Sequence, residues 1–348
     1  MMKNVSTVVL VVVATALVAF SGMCNAQPTQ QPHHFTVDDY HTYFNGFMNH
    51  FNKTYDVSDL DMRFNIFIDN LNMVAQHNSE GHSYSLALNQ FADLTTDEFS
   101  DQYLSHNGFH SSRDNDNDNF AVEQMQMDSS FSVPDEVDWR QKNAVTPVKN
   151  QGQCGSCWSF STTGSVEGAH AIATGNLVSL SEQQLVDCSG SFGNNGCSGG
   201  SMDDAFKFII ENDGLCSEED YPYKATEDPS CTNCKNVVTV SGYKDVPVNN
   251  EKALQLAVAN QPVSVAIEAD QKAFQFYHNG VFDAECGTKL DHGVLVVGYG
   301  TDNGHDYWIV KNSWGPTWGD EGYIMLARNV ASPEGQCGVA MEPSFPVA

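Results

Sequence analysis

"QGQCGSCWSF", residues 151–160, sets Cys154 and Cys157 three apart, just ahead of a stretch that should be helical. Several chemistries use such a pair. A thioredoxin-type redox couple sits inside a βαβ alternation, and none surrounds Cys154. A zinc half-site needs a second ligand pair at matching spacing. Cys231-Thr232-Asn233-Cys234 could supply one, but an oxidising compartment favours disulfides. Two purely structural thiols in a non-enzymatic extracellular module are a further reading. The remaining reading is a nucleophile beside a structural thiol. A thiolate is stabilised by the partial positive charge at a helix start and by a nearby imidazolium, and Cys157 lies where the helix should begin. Its partner would be His170, His278, His292 or His305, the histidines of the C-terminal part. Spacing does not choose among them; His292, at the mouth of a buried apolar run, fits best.

The cysteine count supports an unpaired thiol. The 348 residues carry ten cysteines, and Cys24 belongs to an expected leader. Lys3 gives that leader a positive start, Val8 to Phe20 an apolar core too short to span a bilayer, and Cys24-Asn25-Ala26 a cleavage site. Residues 1–26 are therefore expected to be a secretory signal peptide. Nine cysteines remain, all after residue 150, so pairing in an oxidising environment leaves one over.

With 16 basic and 44 acidic residues, the formal net charge is -28. Phosphate backbones and anionic membranes would repel such a chain, so neither nucleic acid nor membrane is an expected partner. An acidic surface sheds self-repulsion as its carboxylates protonate, which suits an acidic compartment.

Residues 27–132 hold no cysteine but 16 acidic residues, three basic ones and eight of the 12 histidines. Tyr40, Tyr43, Phe44, Phe47, Met48 and Phe51 recur at helical spacing from Thr36; Leu60, Phe64, Phe67, Ile68, Leu71, Val74 and Ala75 do so from Ser58. These stripes predict two helices packed on each other, with Asn52-Lys53-Thr54 as a glycosylation acceptor on the turn between them. Residues 105–119 read as a solvated, protease-sensitive linker. Their aspartates mimic the start of a calcium loop, but Asn119 and Met125 occupy the positions that need Gly and Glu, so no metal site is expected. Residues 133–348 begin helical: after Cys157, from Ser181 with Gln184 completing a capping box and a Leu180–Leu185 staple, and from Ser201. They end largely as strands around 262–269, 292–300, 306–315 and 322–328, with one helix around Ala253 to Ala259. The fold class is α+β, with a cleft between a helical half and a β half.

"QGQCGSCWSF", "DHGVLVVGYG" and "YWIVKNSWG" together closely resemble the papain-like cysteine proteases, in particular the cathepsin L group. The resemblance implies a papain-like two-domain fold behind a helical propeptide, and a catalytic set of Cys157 as nucleophile, His292 as proton partner, Asn312 orienting the imidazole and Gln151 donating to the oxyanion. Trp314 would shield the His–Asn bond, with Trp318 supporting. It further implies Cys154–Cys197, Cys188–Cys231 and Cys286–Cys337 bridges. A fourth between Cys216 and Cys234 would leave only Cys157 free, although Cys231 and Cys234 could exchange partners.

Asp59, Arg63, Phe67, Asn70, Val74 and Asn78 match the family's inhibitory-prosegment helix, with Asp59 and Val74 as mild departures. Ala87, Asn89, Phe91 and Asp93 match its second prosegment motif, with Ala in place of Gly. Residues 27–132 thus resemble a propeptide covering the cleft, released near Ser132 or Val133. Protonation of its histidines would favour release in acid. The substrate-binding residues implied are Gly199, Gly200, Met202, Ala266, Leu290, Asp291 and Glu342. An apolar pocket would take Leu or Phe at the second position before the cut, and Glu342 could admit Arg. The resemblance implies no cofactor. Its partners would be peptide and protein substrates, the chain's own propeptide and cystatin-like inhibitors; a monomer is expected, lysosomal, vacuolar or extracellular. A catalytically silent binding relative and a non-enzymatic disulfide-rich module stand as the other classes.

Overall fold

The computed structural model describes residues 35–105, 109 and 133–348. The expected leader, most of the expected linker and the expected maturation point near Ser132 lie outside the described residues. The chain forms two compact units that divide between Gly81 and His82.

The first unit is a helical hairpin. Helix α1 (Val37–His50) starts at a capping box in which Thr36 and Asp39 satisfy each other's backbone amides. Helix α2 (Val57–Ser79) follows a turn where Asn52 is exposed at φ 51°. The aromatic stripes meet: Phe44 packs on Phe64 and Phe67 at 5.2 and 5.3 Å, and Phe47 on Phe67 at 5.2 Å. Leu60 departs from the expected stripe. It stands in the first turn of α2, 39% exposed.

The second unit opens with β1 (Tyr84–Leu86), α3 (Thr96–Tyr103) and β2 (Val137–Asp138). Three helices follow, α4 (Cys157–Thr174), α5 (Glu182–Cys188) and α6 (Met202–Glu211), then the short pair β3 (Leu215–Cys216) and β4 (Asn236–Val238). The rest is β5 (Gly242–Asp245), α7 (Glu251–Val258), β6 (Val263–Ile267), α8 (Lys272–Gln275), β7 (Tyr277–Phe282), β8 (His292–Asp302), β9 (His305–Lys311), β10 (Tyr323–Ala327) and β11 (Ser344–Val347). The large sheet runs β1-β7-β10-β9-β8-β6-β11-β5, with β2 on β8. All its pairs are antiparallel except β7 with β10. The four predicted strands are β6, β8, β9 and β10. The mixture of helices and sheet is the α+β class expected.

Helix α4 carries the site, and its composition explains how it sits. Every residue from Cys157 to Ala169 is buried, so it is a core helix rather than an amphipathic one. It approaches the sheet closely at two glycines. A Cβ at Gly164 would fall 2.7 Å from Leu295, and one at Gly168 2.6 Å from Pro262. Its hydroxyls bridge to the sheet: Ser161 donates to Val294 O (2.7 Å) and Ser165 to Pro262 O (3.1 Å), so burial leaves them satisfied.

Only half of the capping box predicted for α5 forms. Ser181 Oγ accepts from Gln184 N at 3.0 Å, but the Gln184 side chain turns away, because the amide of Cys216 donates to its Oε1 at 2.8 Å. The disulfides are Cys154–Cys197, Cys188–Cys231, Cys216–Cys234 and Cys286–Cys337. Cys157 is the one free thiol among the described residues.

Candidate active site

Cys157 is the first residue of α4, preceded by Ser156 at the N-cap, and is fully buried. The main-chain amide of Gly293 donates to its Sγ at 3.2 Å, and Ser105 Oγ lies 3.7 Å away. Gly293 follows His292, the first residue of β8, so the strand that presents the ring also supplies the amide on the sulfur. His292 Nε2 lies 2.8 Å from Asn312 Oδ1. An amide oxygen only accepts, so Nε2 carries the proton and the lone pair resides on Nδ1. That Nδ1 is buried with no hydrogen-bond partner among the described residues. Asn312 follows β9, and its Oδ1 also accepts from Ser313 N (2.7 Å), which fixes the amide plane. Trp314 stacks on the imidazole at 4.5 Å and 23°, and Trp318 meets Trp314 edge-on at 5.0 Å. His292, Asn312 and both tryptophans are all buried.

Gln151 is fully buried. Its Oε1 accepts from Ser313 Oγ (2.7 Å), while Nε2 donates to Cys154 O (2.9 Å) and to Tyr103 O (3.1 Å). The last of these acceptors closes α3, so a main-chain carbonyl from that helix end sits on the side-chain amide expected to face an oxyanion. The same segment continues along the site. Ser105 N donates to Asp291 O and Phe109 N to Leu290 O, both at 2.8 Å. Ser105 belonged to the expected solvated linker but is only 4% exposed, because its backbone pairs there and its hydroxyl meets Cys157. Phe109 packs against an apolar cluster that includes Met202, Ala266 and Leu290.

The other expected substrate-binding positions surround this segment. Gly199, at φ +115°, leaves room for Ser105, whose Oγ a Cβ there would approach to 3.4 Å. At Gly200 a Cβ would strike the Trp158 ring at 2.7 Å, so that position requires glycine. Asp291 Oδ1 accepts from Ala269 N at 2.8 Å, and burial, aided by Asp270 and Glu268, raises its carboxyl to about 8. Glu342 is half-buried, two residues before β11.

The covered site holds its acid–base pair neutral. Burial pushes the Cys157 thiol up to about 11, against the Gly293 amide and Ser105, and burial lowers His292 to about 4 despite the Asn312 bond. The thiolate–imidazolium pair expected from the sequence is thus not the state of this covered form: desolvation outweighs the helix start.

Behind the site lies a buried ionic group that the sequence did not announce. Lys149 Nζ bridges Glu167 (2.9 Å) and Glu182 (2.6 Å). Thr146 donates to Glu167 at 2.6 Å, and Lys311 donates to Thr146 at 3.0 Å. Burial pushes Glu182 up to about 7. Sequence reasoning also missed Ser105, Tyr103 and Ser313, which act through backbone or hydroxyl contacts and leave no periodic signal. Among the described residues no group of His, Cys, Asp and Glu is arranged to hold a metal, and no helix is long and apolar enough to cross a membrane.

Residues 133–347 match the papain family cysteine protease domain, and residues 44–99 match the cathepsin propeptide inhibitor domain (I29). The chain is 53% identical over 292 residues to the probable cysteine protease RD21B of Arabidopsis thaliana, covering 83% of this chain and 62% of that protein. It therefore spans less than two thirds of that relative's length. Among solved structures it is similar to the recombinant stem bromelain precursor, with TM-score 0.81 and 40% identity over 88% of this chain and 98% of that one. It is also similar to digestive procathepsin L 3 of the Tenebrio molitor larval midgut, with TM-score 0.78 and 43% identity over 89% and 99% of the two chains.

Proposed function

The chain belongs to the papain family of cysteine proteases, and on that premise we propose that it is the zymogen of a cysteine endopeptidase. Residues 27–132 act as the propeptide and 133–348 as the peptidase. The observation that carries this reading is the convergence of Cys157, the one free thiol among the described residues, at the head of α4, with the amide beside an asparagine-held histidine.

Once the covering segment leaves, water re-enters and the penalty on charge falls. Cys157 then passes its proton to Nδ1 of His292, and the thiolate attacks the peptide carbonyl. The carbonyl oxygen becomes an oxyanion held by Gln151 Nε2 and the Cys157 amide, the donor positions supported by the buried Gln151. His292 protonates the departing amine as the C–N bond breaks, leaving a thioester. His292 next takes a proton from water; the hydroxide attacks the thioester and the thiolate is expelled. Asn312 keeps the ring in the tautomer this sequence needs.

Met202, Ala266 and Leu290 give the pocket for the second residue before the cut its apolar walls. Leu or Phe fits there, and a half-buried Glu342 extends acceptance to Arg. Comparing Phe-Arg with Arg-Arg substrates, in wild type and Glu342→Ala, checks this; an unchanged ratio removes Glu342 from specificity. The mature enzyme is a monomer of the secretory route, lysosomal, vacuolar or extracellular, and open to cystatin-like inhibitors.

The deciding experiment processes the full-length chain at acid pH and adds an epoxysuccinyl thiol reagent. One label on Cys157 with complete loss of peptide hydrolysis is expected. Peptide hydrolysis by Cys157→Ala would overturn the reading.

A further inference from the structure

Residues 217–235 connect β3 to β4 and are unusually well anchored. The Cys216–Cys234 disulfide closes the loop, and Cys231 within it bonds to Cys188 at the end of α5. Tyr221 Oη donates to Asp187 Oδ2 (2.6 Å), and the Gln183 side chain accepts from Lys224 N (2.8 Å) and donates to Thr226 O (2.7 Å). Tyr223 is fixed by its own amide, which donates to Glu218 Oε1 at 2.8 Å, and by its ring, edge-on to Phe160 at 4.8 Å.

So much anchorage aims one phenol at the reaction centre. Tyr223 Oη donates to the main-chain carbonyl of Gln151 at 2.8 Å and lies 2.6 Å from Ser156 Oγ. A phenol has one proton, and it goes to the carbonyl; the Ser156 hydroxyl therefore donates to Tyr223 Oη. Burial pushes this phenol further up from its ordinary value, so the proton stays. The hydroxyls form a chain, Ser156 to Tyr223 to Gln151. One end is the N-cap of the nucleophile's helix, and the other is the residue whose side-chain amide is read as the oxyanion donor. Ser156 makes no side-chain cap bond to its own helix. Gln151 is held from the opposite side by Ser313, whose carbonyl accepts from Gln151 N at 2.8 Å.

We propose that Tyr223 is a positioning residue for acyl transfer: its hydroxyl clamps Gln151 to Ser156 and so fixes the spacing between the two oxyanion donors. This rests on the reading of Gln151 as one of those donors. The clamp acts on tetrahedral species and not on the sulfur's reactivity, which separates it from a role in folding alone.

The test uses full-length chain matured at acid pH with added pepsin, its active sites counted by titration. Tyr223→Phe keeps the ring against Phe160 and removes the hydroxyl. The expected result is a kcat lowered about tenfold with KM within about twofold, and a peptide aldehyde, which forms a tetrahedral adduct, bound about tenfold more weakly. The rate and pH profile of Cys157 alkylation by iodoacetamide, which needs no oxyanion, stay at wild type. Unchanged kcat and aldehyde affinity overturn the proposal. So does a parallel fall of aldehyde affinity and alkylation, the mark of a general structural loss. Gln151→Ala is the control. If it leaves aldehyde affinity intact, the oxyanion reading fails and the clamp with it; if it weakens binding while Tyr223→Phe does not, only the clamp fails. Should Tyr223→Phe not accumulate folded, Ser156→Ala is read instead. A two- to threefold loss of aldehyde affinity at wild-type alkylation supports the chain of hydroxyls, and no loss overturns it.

Discussion

The amide of Gly293 donates to Cys157 Sγ at 3.2 Å, so the residue after His292 touches the sulfur directly. An N–H on sulfur favours the thiolate, yet burial holds this thiol near 11 and His292 near 4. Covering the site therefore does more than block it: it removes the charge separation on which nucleophilicity depends. In the full-length chain, iodoacetamide alkylation of Cys157 should be slow at pH 7 and climb only above about pH 9. In the matured form it should already be fast at pH 5 to 7. Identical profiles would refute the neutral-pair account.

Phe109 packs on the cluster of Met202, Ala266 and Leu290, while its amide pairs with Leu290 O. Truncating a partly buried phenylalanine costs about 2 kcal/mol, a roughly 30-fold change in a docking equilibrium. Phe109→Ala should make the full-length chain label with thiol reagents at least about tenfold faster at pH 7, whereas Phe109→Leu should behave as wild type. Equal rates for all three would remove Phe109 from the inhibitory contact.

His292 and Asp291 are neighbours whose protons act in opposite directions. His292 is held below its usual 6.5, so its contribution is present above that value and is lost as pH falls towards 4. Asp291 is raised from 3.8 to about 8, so its contribution is present below 3.8 and is lost as pH rises through 8. Asp291→Asn keeps an acceptor for Ala269 N and removes the second effect. The full-length variant should melt about 2–4 °C higher than wild type at pH 7 and at the same temperature at pH 4. A uniform shift across that range would contradict the assignment.

Lys149 pairs with two buried acidic side chains at once. Deleting one member of such a group strands the other charges and costs about 3–5 kcal/mol. Lys149→Met should lower stability by that order in denaturant unfolding. Adding Glu182→Gln should recover a substantial part, since one stranded carboxylate is then gone. A double variant no more stable than the single one would show that the loss lies in packing and not in charge.

The strands β6, β8, β9 and β10 and the helices α4 and α6 were legible because apolar runs, bounding glycines and the position of Cys157 are local signals. Strands β5, β7 and β11 were not: β5 and β11 are only four residues long, and all three gain their place from long-range pairing. Leu60 shows the limit of periodicity: a residue can keep the spacing of a stripe and still stand in water at a helix end. At the site, residue types named Cys157, but spacing alone left four histidines equal. Only the register of β8 beside α4 places Gly293 on the sulfur. Tyr103, Ser105 and Tyr223 were invisible, because what they contribute is a carbonyl, a backbone amide and a hydroxyl whose targets are remote in sequence.

Cys231 lies within the ring closed by Cys216 and Cys234 and reaches outside it to Cys188. A single nick between Cys216 and Cys231, for example after the half-exposed Lys224, therefore frees no fragment, because both bridges span the break. Molecules scarred there by self-digestion would keep their full-length mobility on a non-reducing gel and separate into two pieces only after reduction.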